Sequence, residues 1–244
     1  MILLVDAGNT RIKWRLLADG TAPAMVDEGA LGHDEIDALG QLGTRHHGPL
    51  RVVACNVAGT AVAERITAAL DVDAVEWLRP APQACGVRNL YDNPGQLGAD
   101  RWAALIGARH VHAQACLVVT AGTATTVDLL SADGDFLGGL ILPGVDLMQA
   151  SLAHGTAQLP LAEGRFMWQP RCTVDAIRSG CLQAQAGAIE RMFRQIAAEP
   201  GALCLLGGGA ADSFAGLLDI PLRRIDNLVL CGLAAVAGLH STNA

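Results

Sequence analysis

Ile2-Leu3-Leu4-Val5-Asp6-Ala7-Gly8-Asn9-Thr10-Arg11-Ile12-Lys13-Trp14-Arg15-Leu16-Leu17 is the stretch on which the fold turns. An apolar strand delivers an acidic residue to its end, a small polar turn follows, and a second apolar strand leaves. Glycine lets backbone approach a ligand with no Cβ in the way, and Asn9 and Thr10 add short polar donors. Lys13 brings positive charge close by. Such a hairpin suits phosphate binding, and it equally suits an ordinary tight turn, because Gly-Asn is common turn chemistry.

The same design recurs from Val119 to Leu130, with an Ala-Gly corner at Ala121-Gly122, the hydroxyl residues Thr120, Thr123, Thr125 and Thr126, and a second apolar strand. Laying Val5 on Val119 matches Ala7 with Ala121, Gly8 with Gly122 and Leu16 with Leu130, the mark of an internal duplication. A third glycine cluster, Gly207-Gly208-Gly209, follows the strand-like Leu203–Leu206. Three glycine corners after strands suit a nucleotide with several phosphates.

The 244 residues allow two compact halves, placed at residues 1–114 and 115–244. Apolar residues are 51% and charged ones 17%, enough for an ample core. A net charge of −7, no basic block and few aromatics exclude a nucleic-acid surface and favour a small-molecule partner. The N-terminal apolar run lacks a basic leader and no stretch is long enough to span a bilayer, so a cytoplasmic location without membrane contact is expected. Seven scattered cysteines without Cys-x-x-Cys spacing read as reduced thiols, with no disulfide and no zinc. His46-His47 sits in a polar loop, and His110 and His112 point in different directions from one helix; all are expected at the surface rather than as ligands.

Strands are expected near Ile2–Val5, Arg11–Leu17, Leu50–Asn56, Ala74–Leu78, Ala115–Val119, Thr125–Leu130, Phe136–Ile141 and Ala202–Leu206. Helices are expected at Asp34–Leu42, Thr60–Leu70, Asp100–Val111, after Pro143, from Thr173 to about Ala198, after the triple glycine, and from about Leu228 to Leu239. The Asp100–Val111 helix is expected to bridge the halves. Both halves thus run strand, hairpin, then helix, an α/β class. Ahead of the bridging helix, a loop with the chain's single tyrosine, Tyr91, leads to Gly98-Ala99-Asp100-Arg101. A carboxylate there can take a proton from a hydroxyl, and an adjacent arginine can hold an anion through paired hydrogen bonds. A cap and a structural ion pair are the plainer uses of the same two residues. Asp128 is open to two uses, ordering metal-bound water or satisfying backbone donors at a strand end.

In order and spacing, Asp-x-Gly-Asn-Thr, then Tyr…Gly-Ala-Asp-Arg, then Gly-Thr-Ala-x-Thr-x-Asp, followed by Gly138-Gly139-Leu140-Ile141-Leu142-Pro143-Gly144, the chain resembles the type III pantothenate kinases over nearly its whole length. The resemblance implies the acetate and sugar kinase, Hsp70 and actin superfamily: two duplicated ribonuclease-H-like domains with ATP in a central interdomain cleft. It implies ATP-dependent phosphorylation of pantothenate to 4'-phosphopantothenate, the first step of coenzyme A biosynthesis. Carried over, Asp6, Ala7, Gly8, Asn9, Thr10, Arg11, Ile12 and Lys13 bind ATP together with Thr123, and Asp6 organises Mg2+ or its waters. Asp100 becomes the general base, and Tyr91, Gly98, Ala99, Asp100 and Arg101 bind pantothenate. Thr173, in Arg171-Cys172-Thr173-Val174, becomes a pantothenate contact supplied across a homodimer interface. Phosphoryl transfer asks mainly for such positioning and charge stabilisation.

The chain departs from the family at Thr120, where an Asp usually helps bind the activating K+ or NH4+. A hydroxyl offers a hard cation less than a carboxylate does, so activation by K+ is expected to be weak or absent. The alternative readings are an accessory protein of this fold that does not phosphorylate pantothenate, and another small-molecule kinase or ATPase; the second leaves the Tyr91 and Asp100-Arg101 match unexplained.

Overall fold

The computed structural model describes residues 1–20, 24–45, 50–72, 74–161 and 163–239. His46 and His47 lie outside the described residues. The chain forms two compact units. Unit 1 comprises Met1–Ala113, Gly134–Phe136 and the chain from Asn227 onward; unit 2 comprises Gln114–Asp133 and Leu137–Asp226. Unit 2 begins at Gln114, and the C-terminal segment belongs to unit 1.

Unit 1 is built on β1 (Ile2–Ala7), β2 (Ile12–Leu17), β3 (Met25–Leu31), α1 (Gly40–Arg45), β4 (Arg51–Asn56), α2 (Thr60–Leu70) and β5 (Val75–Trp77). The sheet order is β3-β2-β1-β4-β5, antiparallel through β1, β2 and β3 and parallel through β1, β4 and β5. All of β1 is buried, as its unbroken apolar run requires. Leu3, Val5 and Ala7 join Trp14, Leu16, Val52, Ile36 and Ile66 in one core cluster, so the alternate residues Leu4 and Asp6 face the other way. Edge strand β3 is mostly exposed and lacks apolar alternation, which is why its sequence gives no strand signal. Gly29 on β3 opposes Trp14, and a side chain there would press on the indole. The expected helix over Asp34–Leu42 is a 3-10 segment, His33–Leu39, followed by α1. Gly40, at the junction, lies so close to the Ala69 carbonyl that no Cβ fits.

A short hairpin of β6 (Gln83–Ala84) and β7 (Val87–Asn89) leads to α3 (Ala99–Val111). Helix α3 belongs wholly to unit 1 and is buried from Arg101 to Ala108, a core helix rather than the expected bridge. Its partner is the C-terminal helix, and both pack on the sheet.

Unit 2 repeats the plan with β8 (Cys116–Ala121), β9 (Ala124–Leu130), β10 (Asp135–Pro143), α4 (Val145–Gly155), α5 (Thr173–Phe193), β11 (Leu203–Gly207) and β12 (Leu222–Arg224). The order β10-β9-β8-β11-β12 mirrors that of unit 1, with β8/β9 antiparallel and β8/β11/β12 parallel. The first two residues of β10, Asp135 and Phe136, pair with Arg88 and Asn89 of β7 within unit 1. Cys181, Leu182, Ile189 and Phe193 of α5 close the unit 2 core over Leu117, Val119, Val127 and Leu206. The helix stops at Phe193, short of the expected Ala198, and the chain continues in turns to Gly201. The last helix, α6 (Leu228–Val236), crosses α3 where Gly107 and Gly232 meet backbone.

The duplication is real in three dimensions, with one correction. Placing Val5 on Val119 carries β1 onto β8 from end to end. Leu3 pairs with Leu16, however, and its counterpart Leu117 pairs with Leu129, so Leu129 and not Leu130 is the equivalent of Leu16. The second turn is shorter: the Gly8 N–H bonds the Arg11 carbonyl, whereas the Gly122 N–H bonds the Ala124 carbonyl. A slip of one residue would have turned each side chain to the wrong face of the sheet.

Candidate functional site

Strand register builds the acidic end of unit 1. Asp6, near the end of β1, lies directly opposite Lys13 on β2 and Cys55 on β4, which puts the three side chains on one face. Asp6 is 9% exposed and Cys55 only 1%, and the Cys55 thiol donates to Asp6 Oδ1 at 3.6 Å. Burial lifts the Asp6 carboxyl from 3.8 to about 6; Lys13 and the thiol pull it down, and the neighbouring Asp100 carboxylate pushes it up. Burial, then Asp6 and Asp100, drive the Cys55 thiol well above its ordinary 9.0, so it remains a donor.

Asp100 stands in the first turn of α3, whose N-cap is Gly98. Its Oδ1 accepts from the Arg101 N–H at 2.8 Å, a helix-start contact of the plain kind. The other carboxylate oxygen has no hydrogen bond among the described residues. Gly98 has φ −61° and ψ 139°, angles open to any residue, yet an added Cβ would sit 2.6 Å from Asp100 Oδ1. The glycine therefore keeps space for the carboxylate, not an unusual backbone.

Arg101 is 6% exposed. Its Nη1 donates to the Tyr91 hydroxyl at 3.0 Å, and the guanidinium lies 5.7 Å from the ring centroids of both Tyr91 and Phe136. Those rings are 5.0 Å apart. A cation held against two aromatic faces keeps its charge in a partly dry setting. The Tyr91 loop is tied down by Asn89, which accepts from the Tyr91 N–H at 3.1 Å and donates to the Pro94 carbonyl at 3.2 Å.

Unit 2 gathers two glycine corners. Thr120, Ala121, Gly122 and Thr123 cross from β8 toward β9, and the Thr123 carbonyl accepts from the Gly144 N–H at 2.8 Å. A Cβ on Gly144 would strike the Gly122 and Thr123 carbonyls, and one on Gly208 (φ +94°) would strike the Ala121 backbone. The Ala121 carbonyl accepts from the Ala210 N–H at 3.1 Å, so the triple-glycine segment and the second hairpin share one backbone-lined spot. Thr173 is the exposed first residue of α5 in unit 2.

Asp6, Lys13, Tyr91, Gly98, Ala99, Asp100 and Arg101 thus fall in unit 1, and Thr120, Thr123 and Thr173 in unit 2. Cys55, Asn89 and Phe136 take part without having been singled out from the sequence. Cys55 carried one usable signal, its place near the end of an apolar strand parallel to β1; Asn89 and Phe136 carried none. The donors fit a hard divalent cation: Asp6 is buried with one lysine and a weak thiol to offset it, and the Asp100 carboxylate is close enough to raise it further. Among the described residues there is no group of three His, Cys, Asp or Glu able to hold a metal by itself. A magnesium ion bound mainly by nucleotide phosphates and water needs only one or two carboxylates.

A model of the type III pantothenate kinase family matches residues 2–195. The type III pantothenate kinase of Aromatoleum aromaticum is 62% identical over 239 residues, covering 97% of this chain and 98% of that protein. The type III pantothenate kinase of Azoarcus sp. is 52% identical over 246 residues, covering 100% and 93%. Among solved structures, the activator of the 2-hydroxyisocaproyl-CoA dehydratase from Clostridium difficile with bound ADPNP superposes with a TM-score of 0.53 at 13% identity, over 97% of this chain and 92% of that one. That likeness shows the fold alone, two ribonuclease-H-like domains. By the extent and identity of these matches, the chain belongs to the type III pantothenate kinase family.

Proposed function

We propose that the acidic end of unit 1 carries out the family's reaction, the ATP-dependent phosphorylation of pantothenate to 4'-phosphopantothenate that opens coenzyme A biosynthesis. The observation that supports it most is that the Asp100 carboxylate, far away in sequence, stands close enough to the buried Asp6 and Cys55 pair to push both groups upward, beside the Cys55 thiol that donates to Asp6. Residues 6–13 and Thr123 hold ATP, with backbone N–H groups and Lys13 facing phosphate charge. Asp100 accepts the proton of the pantothenate hydroxyl as its oxygen forms the new bond to phosphorus and the bond to the ADP oxygen breaks. Tyr91, Gly98, Ala99 and Arg101 position pantothenate, the guanidinium facing its carboxylate. Mg2+, when bound beside Asp6, neutralises phosphate charge.

Homodimerisation would bring Thr173 to a partner's pantothenate. Its support is the exposed apolar surface of unit 2, including Ile141 at 65% and Trp168 at 72%. No helix among the described residues is long and apolar enough to cross a membrane. A cytoplasmic location suits an ATP-consuming enzyme whose seven cysteines are all free thiols. Thr120 brings no carboxylate to the monovalent-cation position, so K+ stimulates little.

An ADP-release assay with and without pantothenate tests the proposal. The wild-type chain should turn over only with pantothenate, and Asp100→Asn should lose about 10²- to 10⁴-fold in kcat with its circular dichroism and elution volume unchanged. Near-normal turnover by the variant would remove Asp100 as base. The same assay with and without K+ should show similar rates, and a large stimulation would contradict the reading of Thr120.

A further inference from the structure

The exposed edge strand β3 ends beside the first glycine turn. Its last residue, Leu31, pairs with Ile12, the first residue after that turn, so the next two residues, Gly32 and His33, are carried alongside it. There, His33 Nε2 lies 3.0 Å from the Gly8 carbonyl oxygen. A carbonyl only accepts, so the imidazole carries its proton on Nε2 and donates. Two contacts brace the ring's own backbone. Arg65 Nη1, from α2, donates to the His33 carbonyl at 2.9 Å, and the Gly32 N–H donates to Glu35 Oε2 at 2.8 Å.

Gly8 is held at its other end as well, by its N–H to the Arg11 carbonyl at 3.1 Å. The residues between, Asn9 and Thr10, are exposed. In a trans peptide the C=O and the following N–H point in opposite directions. A Gly8 carbonyl tied to His33 therefore aims the Asn9 N–H away from His33, out of the turn. Without the imidazole the Gly8–Asn9 peptide is free to rotate, since glycine has no Cβ to restrict it.

We infer that His33 is a positioning residue for nucleotide: through the Gly8 carbonyl it orients the Asn9 N–H toward the phosphates of ATP. The inference rests on the proposed role of residues 6–13 in holding ATP. Its effect is confined to nucleotide, because Tyr91, Asp100 and Arg101 are placed by the loop before α3 and by α3 itself, and none of the bonds just described reaches them.

The test compares wild type, His33→Ala, His33→Phe and His33→Gln. Phe keeps ring volume without a donor, and Gln carries an amide N–H at a similar reach. Rates of ADP release are measured against ATP and against pantothenate, alongside calorimetric binding of a non-hydrolysable ATP analogue with Mg2+. The Ala and Phe variants should raise KM for ATP and weaken analogue binding about three- to tenfold, the range expected of one hydrogen bond. KM for pantothenate should stay unchanged, and Gln should restore most of the loss. Unchanged ATP parameters in whichever of Ala and Phe folds, or an equal rise in both KM values, overturns the inference. Wild-type protein that binds the analogue without phosphorylating pantothenate would defeat the proposed function instead, and the analogue affinities would still decide the role of His33.

Discussion

Burial lifts the Asp6 carboxyl to about 6, and the cost of that burial is measurable. The group is neutral in folded and unfolded chains well below 3.8; from there up to about 6 the unfolded chain ionises while the folded state resists, so stability is lost across that window and the loss levels off above about 6. A rise from 3.8 to about 6 corresponds to about 3 kcal/mol at neutral pH. Asp6→Asn should therefore be more stable than wild type at pH 7.5 by up to that amount, with the gap closing as pH falls through 3.8, and inactive. Urea titrations without nucleotide or Mg2+ at several pH values measure the gap, and parallel curves would show that Asp6 is not strained by burial. Gly98 makes a second case. Its angles accept alanine, so Gly98→Ala should fold normally, but the new methyl displaces Asp100 Oδ1 and should cut kcat at least tenfold. Retained kcat in that variant would show that the position of the carboxylate is not critical. Gly98-Ala99-Asp100-Arg101 was legible as a motif, yet the reason for its glycine was not, since a 2.6 Å approach to a side chain two residues on is set by a rotamer.

At the scale of elements, helix propensity and packing pull in opposite directions at the α3–α6 crossing. Alanine is better than glycine within an exposed helix by about 1 kcal/mol. At Gly232 of α6, however, an added Cβ would collide with the Ala103 carbonyl, and at Gly107 of α3 with that of Leu228. Neither partner is a flexible side chain that can swing aside. Gly232→Ala should thus destabilise the protein by about 2 to 3 kcal/mol, read as a lowered denaturation midpoint, and a gain in stability would mean that the helices separate at little cost. The elements themselves divide by burial. Strands with continuous apolar runs, such as β1, β4 and β8, and the long helix α5 announce themselves in sequence. Strand β3, nearly all exposed, and the two-residue β6 do not, because neither has a face whose burial dictates a pattern.

For the whole molecule, the apolar residues left uncovered in unit 2 bear on assembly. Leu137 and Ile141 on β10, Leu147 on α4, and Met167 and Trp168 beyond it are all about half exposed or more. If a second copy covers them, wild type should elute at twice its 25.3 kDa mass, and Ile141→Glu with Trp168→Glu should shift it toward monomer. Loss of Thr173 from the partner's site should then raise KM for pantothenate. A wild-type monomer in sedimentation experiments would remove both expectations.

The sequence by itself determined the α/β class, the duplicated hairpins, the order of the motifs and the family, since strand-ending glycine corners and their spacing are local properties written directly in residue identity. Only the tertiary structure decided that α6 returns to unit 1, that the second hairpin is a residue shorter, that Cys55 donates to Asp6 and that β3 brings His33 to Gly8. Each of these depends on strand register or helix crossing. Register and crossing are settled by how whole faces pack, and packing joins residues that no stretch of sequence sets side by side.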